Sequence, residues 1–90
     1  MNKLEIVNEY LEDNDIQTLT ADGFDEAIIG IVDIPNTPTR VAYSVKRSID
    51  ILLKQGMDFD EAVEYFDFNV RGAYMGEATP IWIDDDLFTD

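Results

Sequence analysis

The chain contains neither cysteine nor histidine. The first absence excludes a disulfide framework and a thiolate site. The second removes the side chain that most often moves protons near neutral pH. Together they exclude nucleophilic catalysis of the Ser-His and Cys-His kinds. Positive charge is also scarce: Lys3, Arg40, Lys46, Arg47, Lys54 and Arg71 stand against 20 acidic residues. Affinity for nucleic acid comes largely from Lys and Arg, so direct nucleic-acid binding is not expected, nor is an anionic membrane surface. No apolar run approaches the roughly 20 residues that span a bilayer. Met1 is followed by an acidic segment, without the basic start and apolar stretch of a secretory signal. A cytoplasmic location is therefore the expectation.

What is present points to a folded domain. The 90 residues are 46% hydrophobic and 11% aromatic, too apolar for a disordered acidic tail. One small domain is expected over 1–90, with 85–90 an acidic flexible tail. A core this size is modest, and a homo-oligomer would bury more of it. The net charge of -14 has a plain reading, solubility. It also has a sharper one: an acidic face that docks on a basic protein surface, such as one that otherwise holds nucleic acid.

Spacing and turn chemistry outline the elements. Asn2 and Glu5 read as a helix start, and Leu4, Val7, Tyr10 and Leu11 recur at helical intervals, predicting a helix over 3–12. Acidic residues 12–15 oppose the dipole at its end, so fraying is expected there. Residues 16–26 are ambiguous apart from the turn signal Asp22-Gly23. The continuous apolar run of 27–32 reads as a strand covered on both faces or central in its sheet. Gly30 within it marks a bulge or a close approach. Pro35 and Pro38 enforce a loop, and 40–45 reads as the second strand of a hairpin. Ser44 or Ser48 can cap a helix carrying Val45, Ile49, Leu52 and Leu53 on one face, ended by Lys54 and Gly56. Asp58 and Glu61 form a capping box for a further helix over 58–72. Its stripe runs through Phe59, Ala62, Val63, Phe66, Val70 and Ala73, and Tyr65 and Phe68 fall off it. Pro80 opens a third strand, 80–84.

These elements predict an α+β fold. A three-stranded antiparallel sheet (27–33, 40–45, 80–84) is packed on one face by two helices (45–55 and 58–72). A short N-terminal helix packs at an edge or against a second subunit. The preferred strand order places the third strand beside the first.

Chemistry-bearing motifs are few. Carboxylate pairs occur throughout and so diagnose nothing, and a cleft flanked by two catalytic carboxyls is rarely built by so small a chain. The clusters Asp13-Asn14-Asp15 and Asp84-Asp85-Asp86 do not match a calcium loop with its central Gly and closing Glu. Gly72–Gly76 lacks the lysine of a phosphate loop. No enzyme activity, cofactor or metal is expected. The segment 64–82 is different. It holds Tyr65, Phe66, Phe68, Tyr74 and Trp82, half of the chain's ten aromatic residues, together with Asn69 and Arg71. Its plain reading is a helix-to-strand corner, in which Arg71 pairs with Glu77 or Asp67 and Asn69 satisfies backbone groups at the helix end. Its functional reading is a binding surface built from Tyr65, Phe68, Asn69, Arg71, Tyr74 and Trp82, because aromatic residues dominate interface hot spots.

The run Glu64-Tyr65-Phe66-x-Phe68-Asn69-x-x-Gly72-Ala73-Tyr74-x-Gly76-Glu77-x-Thr79-Pro80 resembles one found in small acidic proteins of tailed phages and some bacteria. Gly56-Met57, Glu61-Ala62 and Ala27–Gly30 are similar as well, so the resemblance covers about 23–83. It implies a phage or phage-like source and carries no activity or catalytic residues with it. Asp84–Phe88 is similar to the acidic-aromatic tips of single-stranded-DNA-binding proteins, but Thr89 and Asp90 follow the aromatic residue that ends those tips. The functional expectation is a protein-binding accessory or inhibitory factor with a protein partner that presents a basic surface. The alternatives are a self-associating assembly module and a small-ligand or metal-binding domain near Asn69, Arg71 and Tyr74.

Overall fold

The computed structural model describes residues 2–73 and 75–88. Helix α1 spans Lys3–Asp13. Asn2 caps it, its side-chain oxygen accepting from the Glu5 amide at 2.9 Å. Its C-terminal end is closed by Asn14, whose Nδ2 donates to the Tyr10 carbonyl at 2.8 Å. A local carboxamide thus offsets the unfavourable charge that predicted fraying.

Strand β1 is Ile28–Val32 and β2 is Arg40–Ser44, paired antiparallel. Helix α2 is Val45–Lys54, and α3 is Phe59–Tyr65. Ser44 caps α2 by accepting from the Arg47 amide at 3.0 Å, and the Ser48 hydroxyl donates back to the Ser44 carbonyl at 2.7 Å. Past the end of α2, Gly56 takes the left-handed conformation (φ 104) that a side chain would resist. The reciprocal bonds of a capping box hold Asp58 and Glu61 at the start of α3. The expected continuous helix over 58–72 changes character after Tyr65: Phe66–Arg71 is π-helical. Gly72 permits this, since a Cβ there would stand 2.9 Å from the Asp67 carbonyl oxygen.

The last strand, β3, is Ile81–Ile83 and pairs parallel to β2. The sheet is therefore mixed, in the order β1-β2-β3, and not the antiparallel sheet that was expected. Nor does β3 lie beside β1. The physical reason lies in the connection. A hairpin loop returns β1 to β2 in the opposite sense, whereas α2 and α3 intervene before β3 and supply the crossover that parallel pairing requires.

β1 is an edge strand although its run is almost wholly apolar. The register pairs Ile28 with Tyr43 and Ile31 with Val41, with a shift between Ile28 and Gly30. One extra residue in β1 thus places Ile28 and Ile31, three apart, on the same face as Tyr43 and Val41. Ile29 is left exposed. The bulge accounts for a hydrophobic pattern that otherwise reads as a central strand. Of the two expectations for Gly30 the bulge is met and the close approach is not: a Cβ at Gly30 would meet nothing within 4 Å.

The core joins this face to the helices. Ile28, Val41 and Tyr43 cluster with Val7 and Leu11 of α1, Ile49 and Leu52 of α2, Ala62 of α3, and with Phe24 and Phe66. Tyr43 and Phe66 are its largest fully buried side chains. Trp82, opposite Tyr43 in the register, joins this cluster from β3, its ring centroid 4.8 Å from that of Tyr43.

Candidate functional site

The ambiguous segment before β1 proves to be a wall of a cleft. Buried Tyr43 reaches out of β2 and its hydroxyl oxygen accepts from the Ala21 amide at 2.7 Å. Burial raises the Tyr43 pKa, and the charges of Asp25 and Asp22 push in the same direction. The phenol therefore stays protonated and neutral. A turn through Gly23 (φ 88) follows, presenting Asp22 and turning Phe24 into the core. The edge of Phe24 meets Trp82 at 6.0 Å between centroids, and Phe66 meets Trp82 edge-on at 5.1 Å.

Opposite this turn, α3 and its π-helical continuation bring Tyr65, Asn69 and Val70 to the same opening. The result is a cleft of about 240 Å³. Phe24, Tyr65 and Trp82 supply aromatic surface, and Asp22 and Asn69 supply polar atoms. Met75 and Pro80 complete the rim. A wider, shallower depression of about 670 Å³ adjoins it across Met75 and carries Glu12, Leu19 and Glu77. Among the described residues no Lys or Arg lines either hollow.

A separate groove of about 350 Å³ runs between α2 and α3. Ile49, Leu53, Phe59 and Val63 give it apolar surface, and Lys46 and Arg71 face Asp50, Asp67, Asp84 and Asp86 around it. Arg71 is held there. Its guanidinium lies 3.1 Å from Asp84 and 3.8 Å from Asp67, and 5.2 Å above the Phe66 ring. The expected pairing with Asp67 is present, and Asp84 takes the place proposed for Glu77.

The cleft thus gathers Tyr65, Asn69 and Trp82 from the sequence-predicted surface. Phe68 is not among its lining residues; it stands 77% exposed on the π-helical segment. Arg71 lines the α2–α3 groove and, beside Trp82 and Arg40, a further hollow that adjoins the cleft. Tyr74 lies outside the described residues. Trp82 is half-buried and serves the core as well as the cleft. Asp22, Phe24, Met75 and Pro80 were not singled out from sequence. The Asp22-Gly23 turn signal was the available clue to the first two.

No family model, curated protein or solved structure matches the chain.

Function is therefore read from the chemistry of the surface. Among the described residues no group of three Asp or Glu side chains could hold a metal ion. None of their helices is long and apolar enough to cross a membrane. Asp85, the first residue of the expected acidic tail, accepts from the Ser44 hydroxyl at 2.6 Å and from the Lys46 amide at 3.3 Å. Partial burial works to raise its pKa. The Ser44 and Lys46 bonds and the nearby Arg47 charge outweigh that and hold the carboxyl below the usual aspartate value.

Proposed function

We propose that the chain is a small acidic accessory or inhibitory factor, phage-encoded and working in the host cytoplasm. It binds a host protein through an acidic and aromatic surface and is not an enzyme. The observation that carries this reading is the rod formed by α3 and its π-helical extension. Phe59 (63%), Tyr65 (44%) and Phe68 (77%) are exposed on it. Asp60, Glu61, Glu64 and Asp67 are interspersed with them and exposed as well. Large aromatic side chains left in water among carboxylates suit an interface with an apolar centre and a charged rim. The resemblance of 64–80 to phage-encoded proteins supports the source. In this reading α2 and α3 cover one face of the sheet and leave the outer side of the rod free.

Affinity capture from a host lysate tests it. The expected result is a basic protein retained by the native chain, released as salt rises, and lost with Phe68→Ala. Capture that neither salt nor Phe68→Ala affects would sink the proposal.

A second reading, self-association, is favoured by one observation. The register places Gly30, Val32, Ala42, Ile81 and Ile83, together with Arg40 and Ser44, on the sheet face opposite Tyr43, and Ile83 is exposed at its edge although Ala42 and Ser44 are buried. Sedimentation equilibrium decides it: a mass above 10.3 kDa supports association, and a strict monomer eliminates it.

A further inference from the structure

We infer that the cleft between the Asp22 turn and the π-helical segment is a receptor for a single arginine side chain of the protein partner. This inference rests on the protein-binding reading and adds the chemistry of its anchor.

Three features of the cleft converge on a guanidinium. Its aromatic lining, from Phe24, Tyr65 and Trp82, is of the kind on which a flat cation stacks. Its polar lining residues are Asp22, whose carboxylate can accept from a donor fork, and Asn69, whose carboxamide oxygen can accept as well. Its electrostatic setting favours a cation on the side of the Asp22 turn. Among the described residues no Lys or Arg lines the cleft or the depression across Met75, whereas Asp22, Glu12 and Glu77 do. Arg40 and Arg71 line a hollow that shares Ala73, Pro80 and Trp82 with the cleft, and both are already bonded there. The described cations have other stations. Lys3 donates to the Glu26 carbonyl, Arg40 to the Thr79 carbonyl, and Arg71 pairs with Asp84. Lys46, Arg47 and Lys54 lie on α2.

The chain already holds one guanidinium in this manner. Arg71 stands over the Phe66 ring at 5.2 Å with a carboxylate at 3.1 Å. The cleft offers the same pair of partners, ring and carboxylate, without a cation of its own. A volume of about 240 Å³ admits one long side chain and not a folded element. The occupant is thus an anchor residue, and the remainder of the partner segment lies across Met75 toward Glu77 and Glu12.

The test uses the full chain and a blocked pentapeptide, Gly-Gly-Arg-Gly-Gly, whose single charge limits general adsorption to an acidic protein. Trp82 is the only tryptophan, so its fluorescence reports the cleft directly. Amide shifts in a nitrogen-15 spectrum locate the contact. The expected result is a saturable change in Trp82 emission, with shifts confined to 21–24, 65–70 and 80–82. Replacing arginine by citrulline in the peptide should weaken binding about tenfold, as should Asp22→Asn in the protein. Asp60→Asn, the same charge change on α3, should leave affinity within about twofold. Equal losses from Asp22→Asn and Asp60→Asn, or shifts spread along α3, would overturn the cleft while leaving the acidic surface as a binding face. Equal binding of a lysine or leucine pentapeptide would overturn the guanidinium assignment. Conversely, arginine binding at the cleft together with failed partner capture would retain this site and remove the protein-binding reading.

Discussion

At Gly72 the backbone accommodates a hydrogen and nothing larger. A methyl group there would stand 2.9 Å from the Asp67 carbonyl oxygen and 3.2 Å from that of Phe68, both fixed parts of the π-helical segment. Gly72→Ala is expected to cost about 1–3 kcal/mol, lowering the midpoint of thermal unfolding by several degrees. An unchanged midpoint would mean that the segment relaxes freely. Asp85 gives a second prediction. Its carboxyl pKa is lowered on folding, so its stabilisation is present above the ordinary aspartate range and is lost as pH falls through the folded value. Asp85→Ala should lower stability by about 1 kcal/mol at neutral pH. That deficit should vanish below the folded value; thermal melts across pH check it, and a deficit independent of pH would refute the carboxylate's part. The caps at Asn2, Ser44 and Asp58 were legible in the sequence because a cap and its target lie three residues apart. Asp85 was not, because its partner Ser44 is 41 residues away.

Elements separate what spacing can reveal from what it cannot. The apolar stripe of 59–73 set Tyr65 and Phe68 off its line, and both are exposed, but so are Phe59 and Ala73 at the two ends of the stripe itself. The same stripe could not show that hydrogen bonding shifts after Tyr65, because helical and π-helical turns differ in a backbone choice that side-chain spacing scarcely records. In β1 the bulge defeats the period of two, turning an edge strand into an apparently central one. Half of the cleft was visible as aromatic residues off the stripe. Its other half was hidden in 16–26, which is held by a hydroxyl from β2 and has no period of its own. At this scale Tyr65→Ala and Phe68→Ala should change stability by no more than about 0.5 kcal/mol, as exposed positions do. Each should nevertheless weaken partner capture. Measuring melts and capture on the same variants separates the roles; a collapse in stability would mark these rings as structural.

Over the whole molecule, a net charge of -14 is a single field with two consequences of opposite sign. Like charges repel within the folded chain, so added salt should raise the unfolding midpoint. Attraction to the proposed basic partner would be screened by the same ions, so binding should weaken over the same range. Thermal melts and binding titrations in matched salt series check both, and a pair of trends with the same sign would contradict the reading. Composition made the acidity legible at once. The mixed sheet was less so: two helices between the second and third strands announce a crossover, but apolar residues do not name the neighbour a strand will choose.

The crossover also sets an order in time. The β1–β2 seam needs only a short loop to close, whereas the β2–β3 seam waits until α2 and α3 have folded between its strands. Trp82 sits on the strand that arrives last. Its fluorescence during refolding should therefore lag the recovery of helical circular dichroism. The cleft is completed by that final seam, so the proposed arginine receptor would exist only in the finished fold, and recognition would itself be the sign that assembly has finished.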